Sequence, residues 1–382
     1  MKTEKGRKNR KNRRKRYLRL LLILLLLAVA GGSYAYYALI YRTSNEPEPI
    51  LSHTSTEAVY SLESRMKLLY LTPEVRKAAF TGRAAEIDYG TYVIPGLKHT
   101  ETLVFGEKGA GDICTSMTPQ GLAVTDEYLF VSSYCQSGTH NSVIYMIDKK
   151  THELIKEIVL RNKSHVGGLA YDTIHHNLWI AGMSRGLAQV NAISLDQLEA
   201  YSFQEEYQPI VYSQSYDLYA ISRNSFLTYY NNALYIGYYT ENTASVLEEY
   251  AIAEDGTLIT ESNQETLLLS EAPIALPSDI RIIAKRAQGV AFYKDMILLS
   301  HSYGPLPSSL QVFGNRSSIQ KLLEEDSALQ KIRFPEKLEQ IYVDGDDLYV
   351  LFESAAYGYR ASSLMKLDRI LKLDLTVLLG RQ

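Results

Sequence analysis

From about residue 89 onward, short apolar runs with two-residue alternation are separated by polar turns, and five segments follow one template. They are QGLAVTDEYLFVSSY (120–134), GGLAYDTIHHNLWIAG (167–182), NSFLTYYNNALYIGYY (224–239), QGVAFYKDMILLSHSY (288–303) and EQIYVDGDDLYVLFES (339–354). Each reads as a strand, a two- to four-residue turn and a second strand. A third strand is predicted after a polar loop in NSVIYMID, LAQVNAI, ASVLEEYAI, SSLQVFG and SSLMKLD, and a fourth in ELIKEIVL (153–160). The units recur every 47 to 64 residues, stretched by insertions such as 253–280 and a helical SSIQKLLEEDSALQKI (317–332). Four antiparallel strands per repeat predict an all-β fold, a β-propeller of five blades. One blade cannot bury both its faces, whereas a closed ring of blades can, and closure also protects strand edges. YGTYVIP (89–95) and ETLVFG (101–106) precede the first repeat; they either complete the last blade or form a degenerate sixth.

The N-terminal pattern is different. Leu20 to Tyr41 is a 22-residue uncharged stretch, long enough as a helix to cross about 30 Å of hydrocarbon. It predicts a membrane-spanning signal-anchor over 20–41. The small-residue AVA at Ala28–Ala30 offers the alternative of a cleaved signal peptide. Residues 42–88 read as a linker and helical stalk, with Leu62, Met66, Leu69 and Tyr70 at helical spacing and Pro73 interrupting them. The propeller then occupies 89–382.

Charge orients this arrangement. Residues 1–19 carry eleven Lys/Arg against one acid, Glu4, so a net charge of −3 for the chain divides into +10 in the tail and −13 in the remainder. The positive-inside rule places 1–19 as a basic cytoplasmic tail and the propeller outside the cell membrane. The acidic remainder speaks against a nucleic-acid partner. There is no LPxTG motif near the C-terminus, so wall attachment by a sortase is not expected. Thirty Tyr suit strands and also supply flat loops with a polar tip, useful against a carbohydrate or protein ligand.

The stretch YLFVSSYCQSGTHNSVIYMIDKKTHELIKEIVLRNKSHVGGLAYD (128–172) resembles the YVTN-type repeat of YncE-like propellers. The resemblance covers one blade, and the longer, irregular repeats here do not carry over the usual seven-blade count. It implies an extracytoplasmic propeller used for binding.

In a propeller the first strand of each blade lines the central channel. Its entry position is Gln120, Gly167, Asn224, Gln288 or Glu339, and two residues earlier stand Thr118, His165, Ser222, Arg286 or Lys337. The candidate ligand-binding residues of the channel face are therefore Gln120, His165, Asn224, Arg286, Gln288 and Glu339. Second-loop residues Tyr134, His140 and Tyr303 are candidates for its rim. Channel-lining amides also hold ordered water, and His165 also suits a structural role. A glycosidase would need a second carboxylate beside Glu339, for which Glu353 is the candidate. Glu339 and Asn224 are too few for an axial metal, His175–His176 lacks further ligands, and no CxxC motif occurs, so neither a metal nor another cofactor is expected. No G-x-S-x-G elbow or P-loop is present either, and no catalytic residue is assigned. Cys114 before the first strand and Cys135 after the second fall at one edge of the same hairpin, which predicts a disulfide. The whole describes a single-pass, membrane-anchored propeller of a Gram-positive cell envelope, a binding or scaffold module for an envelope carbohydrate or protein. The alternative is a propeller hydrolase or lactonase acting on an envelope carbohydrate.

Overall fold

Strands form where the alternation places them, and they are apolar on both sides because each sheet packs between two others. The inner strand of the first repeat, Met117–Val124, is buried along its whole length. Its neighbour Tyr128–Cys135 is buried at all but its first residue and Tyr134. The structure is a computed structural model that describes residues 2–36, 53–59, 71–80, 91–260, 272–315 and 322–380. The chain divides into two units, Met1–Pro49 and Ile50–Gln382.

The second unit contains a five-bladed propeller. The first blade is Met117–Val124, Tyr128–Cys135, Val143–Asp148 and Leu154–Val159. The second is Leu169–Asp172, Asn177–Ser184, Leu187–Ser194 and Gln214–Leu218. The third is Phe226–Tyr230, Ala233–Gly237, Ser245–Ala251 and Asp279–Ile283, and the fourth Ala287–Tyr293, Met296–His301, Ser308–Gly314 and Gln330–Phe334. The fifth takes Leu338–Asp344, Asp347–Phe352 and Arg369–Asp374, then borrows Thr91–Val93 as its outer strand, with Tyr92 opposite Ile370. The start of the propeller thus latches its end. Short parallel strands, Ile274–Ala275 and Leu322–Leu323, extend the outer edges of the second and third blades.

Five inner strands meet at the axis, where space is scarce. One layer in from the entry position stand Gly121, Gly168, Ser225, Gly289 and Gln340. A Cβ on Gly168 would lie 2.5 Å from the Leu227 amide nitrogen, and one on Gly289 3.0 Å from Gln340 Cα. These glycines allow the backbones to close in, and the single long side chain fills what is left. Gln340 Oε1 accepts hydrogen bonds from the amides of Leu122 and Leu169, both 2.9 Å. Its Nε2 donates to the carbonyls of Leu169 at 2.6 Å and Leu227 at 2.8 Å. One fully buried residue of the fifth blade therefore bonds the first, second and third and abuts the fourth.

Several expectations are corrected. There is no sixth blade among the described residues: Thr100–Leu103 pairs with Gly111–Cys114 in a separate two-stranded sheet. SSLMKLD (362–368) is not a strand; the third strand of the fifth blade begins at Arg369. The described part of the supposed helix 317–332 is a short strand, a 3-10 turn at Glu325–Ser327 and the start of Gln330–Phe334. Pro73 opens a helix, Pro73–Phe80, instead of interrupting one, as its preset φ and missing N–H allow at a first turn. Leu62, Met66, Leu69 and Tyr70 lie outside the described residues.

In the first unit a helix runs over Lys2–Tyr36, and its segment Lys15–Ala35 is long and apolar enough to cross a membrane. Residues 37–41 of the expected span lie outside the described residues.

Candidate functional site

At the entry end of the inner strands the propeller opens into a cavity of about 770 Å³. Strand register decides what lines it: the entry positions of four blades, Gln120, Asn224, Gln288 and Glu339, all reach it, together with His165. Lys337, Glu353, Tyr239, Arg223 and Tyr359 complete the polar and aromatic wall. Of the six channel-face candidates only Arg286 is absent. Its backbone is left-handed, φ 66°, and its guanidinium turns outward to the Glu241 carbonyl at 3.0 Å and over the Tyr303 ring at 3.7 Å.

The floor is a pair of carboxylates. Glu339 and Glu353 are almost fully buried and close enough to shift one another's titration. Burial raises both above the ordinary carboxylate value, and at Glu339 the charge of Glu353 adds to the effect. Two carboxylates this close cannot both ionise cheaply, so the pair keeps a proton where an exposed carboxyl would have lost it. The rest of the floor tempers that cost. Gln120 Nε2 donates to Glu353 Oε2 at 2.9 Å, Lys337 Nζ stands 3.5 Å from Glu353 Oε1, and Gln288 Nε2 donates to Glu339 Oε1 at 3.2 Å. Lys337 also lies over the Tyr359 ring, 3.9 Å from its centroid. Asn224 donates to the Gln189 carbonyl at 2.7 Å, which fixes its amide at the wall.

His165 is exposed to the cavity, yet protein surrounds its ring on most sides. That crowding holds its pKa below the ordinary imidazole value, so the neutral ring prevails at neutral pH. It stacks on Tyr134, ring centroids 4.3 Å apart. Tyr134 backs the cavity through that ring. Tyr303 lies between two cavity-lining residues, Ser302 and Gly304, but its hydroxyl is turned to Glu241 Oε1 at 2.7 Å. Lys337, Tyr239 and Glu353 were reachable from the repeat alignment. Arg223 and Tyr359 were not: Arg223 stands between the two aligned entry positions Ser222 and Asn224, and Tyr359 sits in a helical turn, Tyr357–Arg360, of the fifth blade.

His140 departs furthest from expectation. It is buried, does not line the cavity, and faces the two cysteines. The expected disulfide is not formed: Cys114 and Cys135 are free, buried thiols. They do share one edge of the hairpin, as the repeat requires, and their sulfurs lie within 4.8 Å of each other. Hydrogen bonding within this pair lowers one thiol and raises the other. Cys135, which also faces His140, is the one lowered, and Cys114 the one raised.

No family profile matches the chain, and no curated protein matches it. Among solved structures, Kuenenia stuttgartiensis hydrazine synthase is similar over 61% of this chain and 55% of that one, at 10% identity and a TM-score of 0.31. This chain thus spans about half the length of that protein.

Proposed function

We propose that the channel-face cavity is a binding site for a small, hydroxyl-rich ligand of sugar size, carried by a membrane-anchored propeller at the cell envelope. The observation behind this reading is the composition of the cavity floor and wall. A protonated carboxyl, an amide and a carboxylate offer both donors and acceptors. The tyrosines supply flat apolar faces of the kind that pack on sugar rings. The N-terminal helix and its basic flank support the anchored, outward-facing arrangement.

The hydrolase alternative has less support. A two-carboxylate glycosidase turns both carboxyl groups on the scissile bond. Here Glu339 is bonded to Gln288, and Glu353 to Gln120 with Lys337 beside it.

Calorimetric titration of the full chain in detergent against a panel of envelope oligosaccharides tests the proposal. One or more should bind, and Gln288→Ala and Glu353→Gln should each weaken that binding at least tenfold with little change in Tm. Binding that survives both substitutions, or none across the panel, overturns it.

A further inference from the structure

Away from the cavity, three chain segments converge on one buried point. Cys114 ends the strand Gly111–Cys114 and sits opposite Thr100. Cys135 ends the second strand of the first blade, opposite Met117. His140 follows a tight loop and bridges to Val104. Their ligand atoms, two Sγ and the imidazole Nδ1, all lie within 4.8 Å of one another. Cys135 Sγ is 3.4 Å from Nδ1. All three residues are buried.

The loop that carries His140 is fixed by its backbone. The Gln136 amide donates to the Ser116 carbonyl, Phe105 to Thr139, and Asn141 to Leu103, each at 2.9 Å. The imidazole is fixed as well. Its Nε2–H donates to Asp112 Oδ2 at 3.2 Å, which leaves Nδ1 as the atom presented to the sulfurs. A disulfide needs neither the ring nor its carboxylate. A thiolate metal site needs both, because a carboxylate on the far nitrogen sets the tautomer and orientation of a ligating histidine.

We propose that Cys114, Cys135 and His140 form a binding site for a thiophilic d10 cation, Zn²⁺ or Cu⁺, with Asp112 as the positioning residue behind His140. Two sulfurs and one imidazole are the soft and borderline donors these ions favour over Mg²⁺ or Ca²⁺. Three protein ligands complete a trigonal site for Cu⁺. For Zn²⁺ they leave the fourth, tetrahedral position to an exchangeable ligand. Binding displaces the sulfur protons to solvent, while Nδ1, with the ring proton on Nε2, has none to lose. Sequence spacing did not announce the site, because the ligands stand 21 and five positions apart in three different elements.

The test uses the full chain in detergent, reduced and stripped with a chelator. It is titrated with Zn²⁺ against a chromophoric chelator and, without air, with Cu⁺ against a Cu⁺ indicator. One ion per chain should bind, with proton release. Cys114→Ser and Cys135→Ser should each lower affinity at least a hundredfold, and Asp112→Asn, whose side chain is largely exposed, about tenfold. Because Asp112→Asn leaves the buried ligands in place, it answers the question even where a cysteine variant does not fold. If the reduced protein binds neither ion at one per chain, or if Asp112→Asn and both cysteine variants bind as tightly as the parent, the site is not a metal site.

Discussion

Glu339 and Glu353 show how a single contact sets a pH response. Folded-state pKa values raised above the ordinary value mean that the native protein binds more protons than the unfolded chain. The contribution of the pair is therefore least unfavourable in acid, and stability is lost as pH rises from the ordinary carboxylate range through neutral. Glu339→Gln removes one of the two charges and keeps a hydrogen-bond donor for Glu353. In thermal melts at pH 5 and pH 8, the parent should lose more Tm between the two than Glu339→Gln does. Equal losses would show that Glu339 does not contribute to the pH response. At this scale the repeat alignment read well, because entry-layer side chains have their direction set by the strand period. It failed at Arg286, whose guanidinium is drawn outward to the Glu241 carbonyl and the Tyr303 ring, although Lys337 at the aligned position shares its left-handed backbone and does line the cavity. It failed at His140, whose surroundings include Asp112 and Cys114 from a hairpin outside the blade.

At the level of elements, closure of the ring depends on a three-residue strand, Thr91–Val93. Tyr92 is its anchor: buried, stacked on His152 with ring centroids 4.0 Å apart, and donating from its hydroxyl to the Lys149 carbonyl at 3.0 Å. It joins the fifth blade to the first. Tyr92→Ala should cost about 3 kcal/mol or more, in the range of large buried aromatics cut to alanine. The loss would be read as a lowered urea midpoint, with faster amide exchange in the paired strand Arg369–Asp374. A loss below about 1 kcal/mol would mean that the latch does not carry closure. Inner and second strands were legible because a tight turn and continuous apolar runs mark them. Outer strands were legible in ELIKEIVL, which is Leu154–Val159, and in YGTYVIP as one of two readings, but not in the second to fourth blades. Gln330–Phe334 has a helix-like pattern, but its pairing with Ser308–Val312 overrides local preference. The third strand of the fifth blade was missed because a helical turn at Tyr357–Arg360 and an irregular stretch precede it.

For the molecule as a whole, the acidic propeller and the basic tail flank an apolar helix, and the proposal puts them on opposite sides of a membrane. Protease added to intact spheroplasts should then digest the propeller and spare a tag on the N-terminus. Protection of the propeller, or a mature chain beginning at Gly31, would contradict the anchored topology.

Gln340 carries a last consequence. By bonding the inner strands of three other blades across the axis, it turns what could have been a bore into a blind well. A molecule that settles on the Glu339–Glu353 floor must depart through the mouth by which it came. The occupant proposed for this well would therefore be held on one face of the disc and not conducted along the axis.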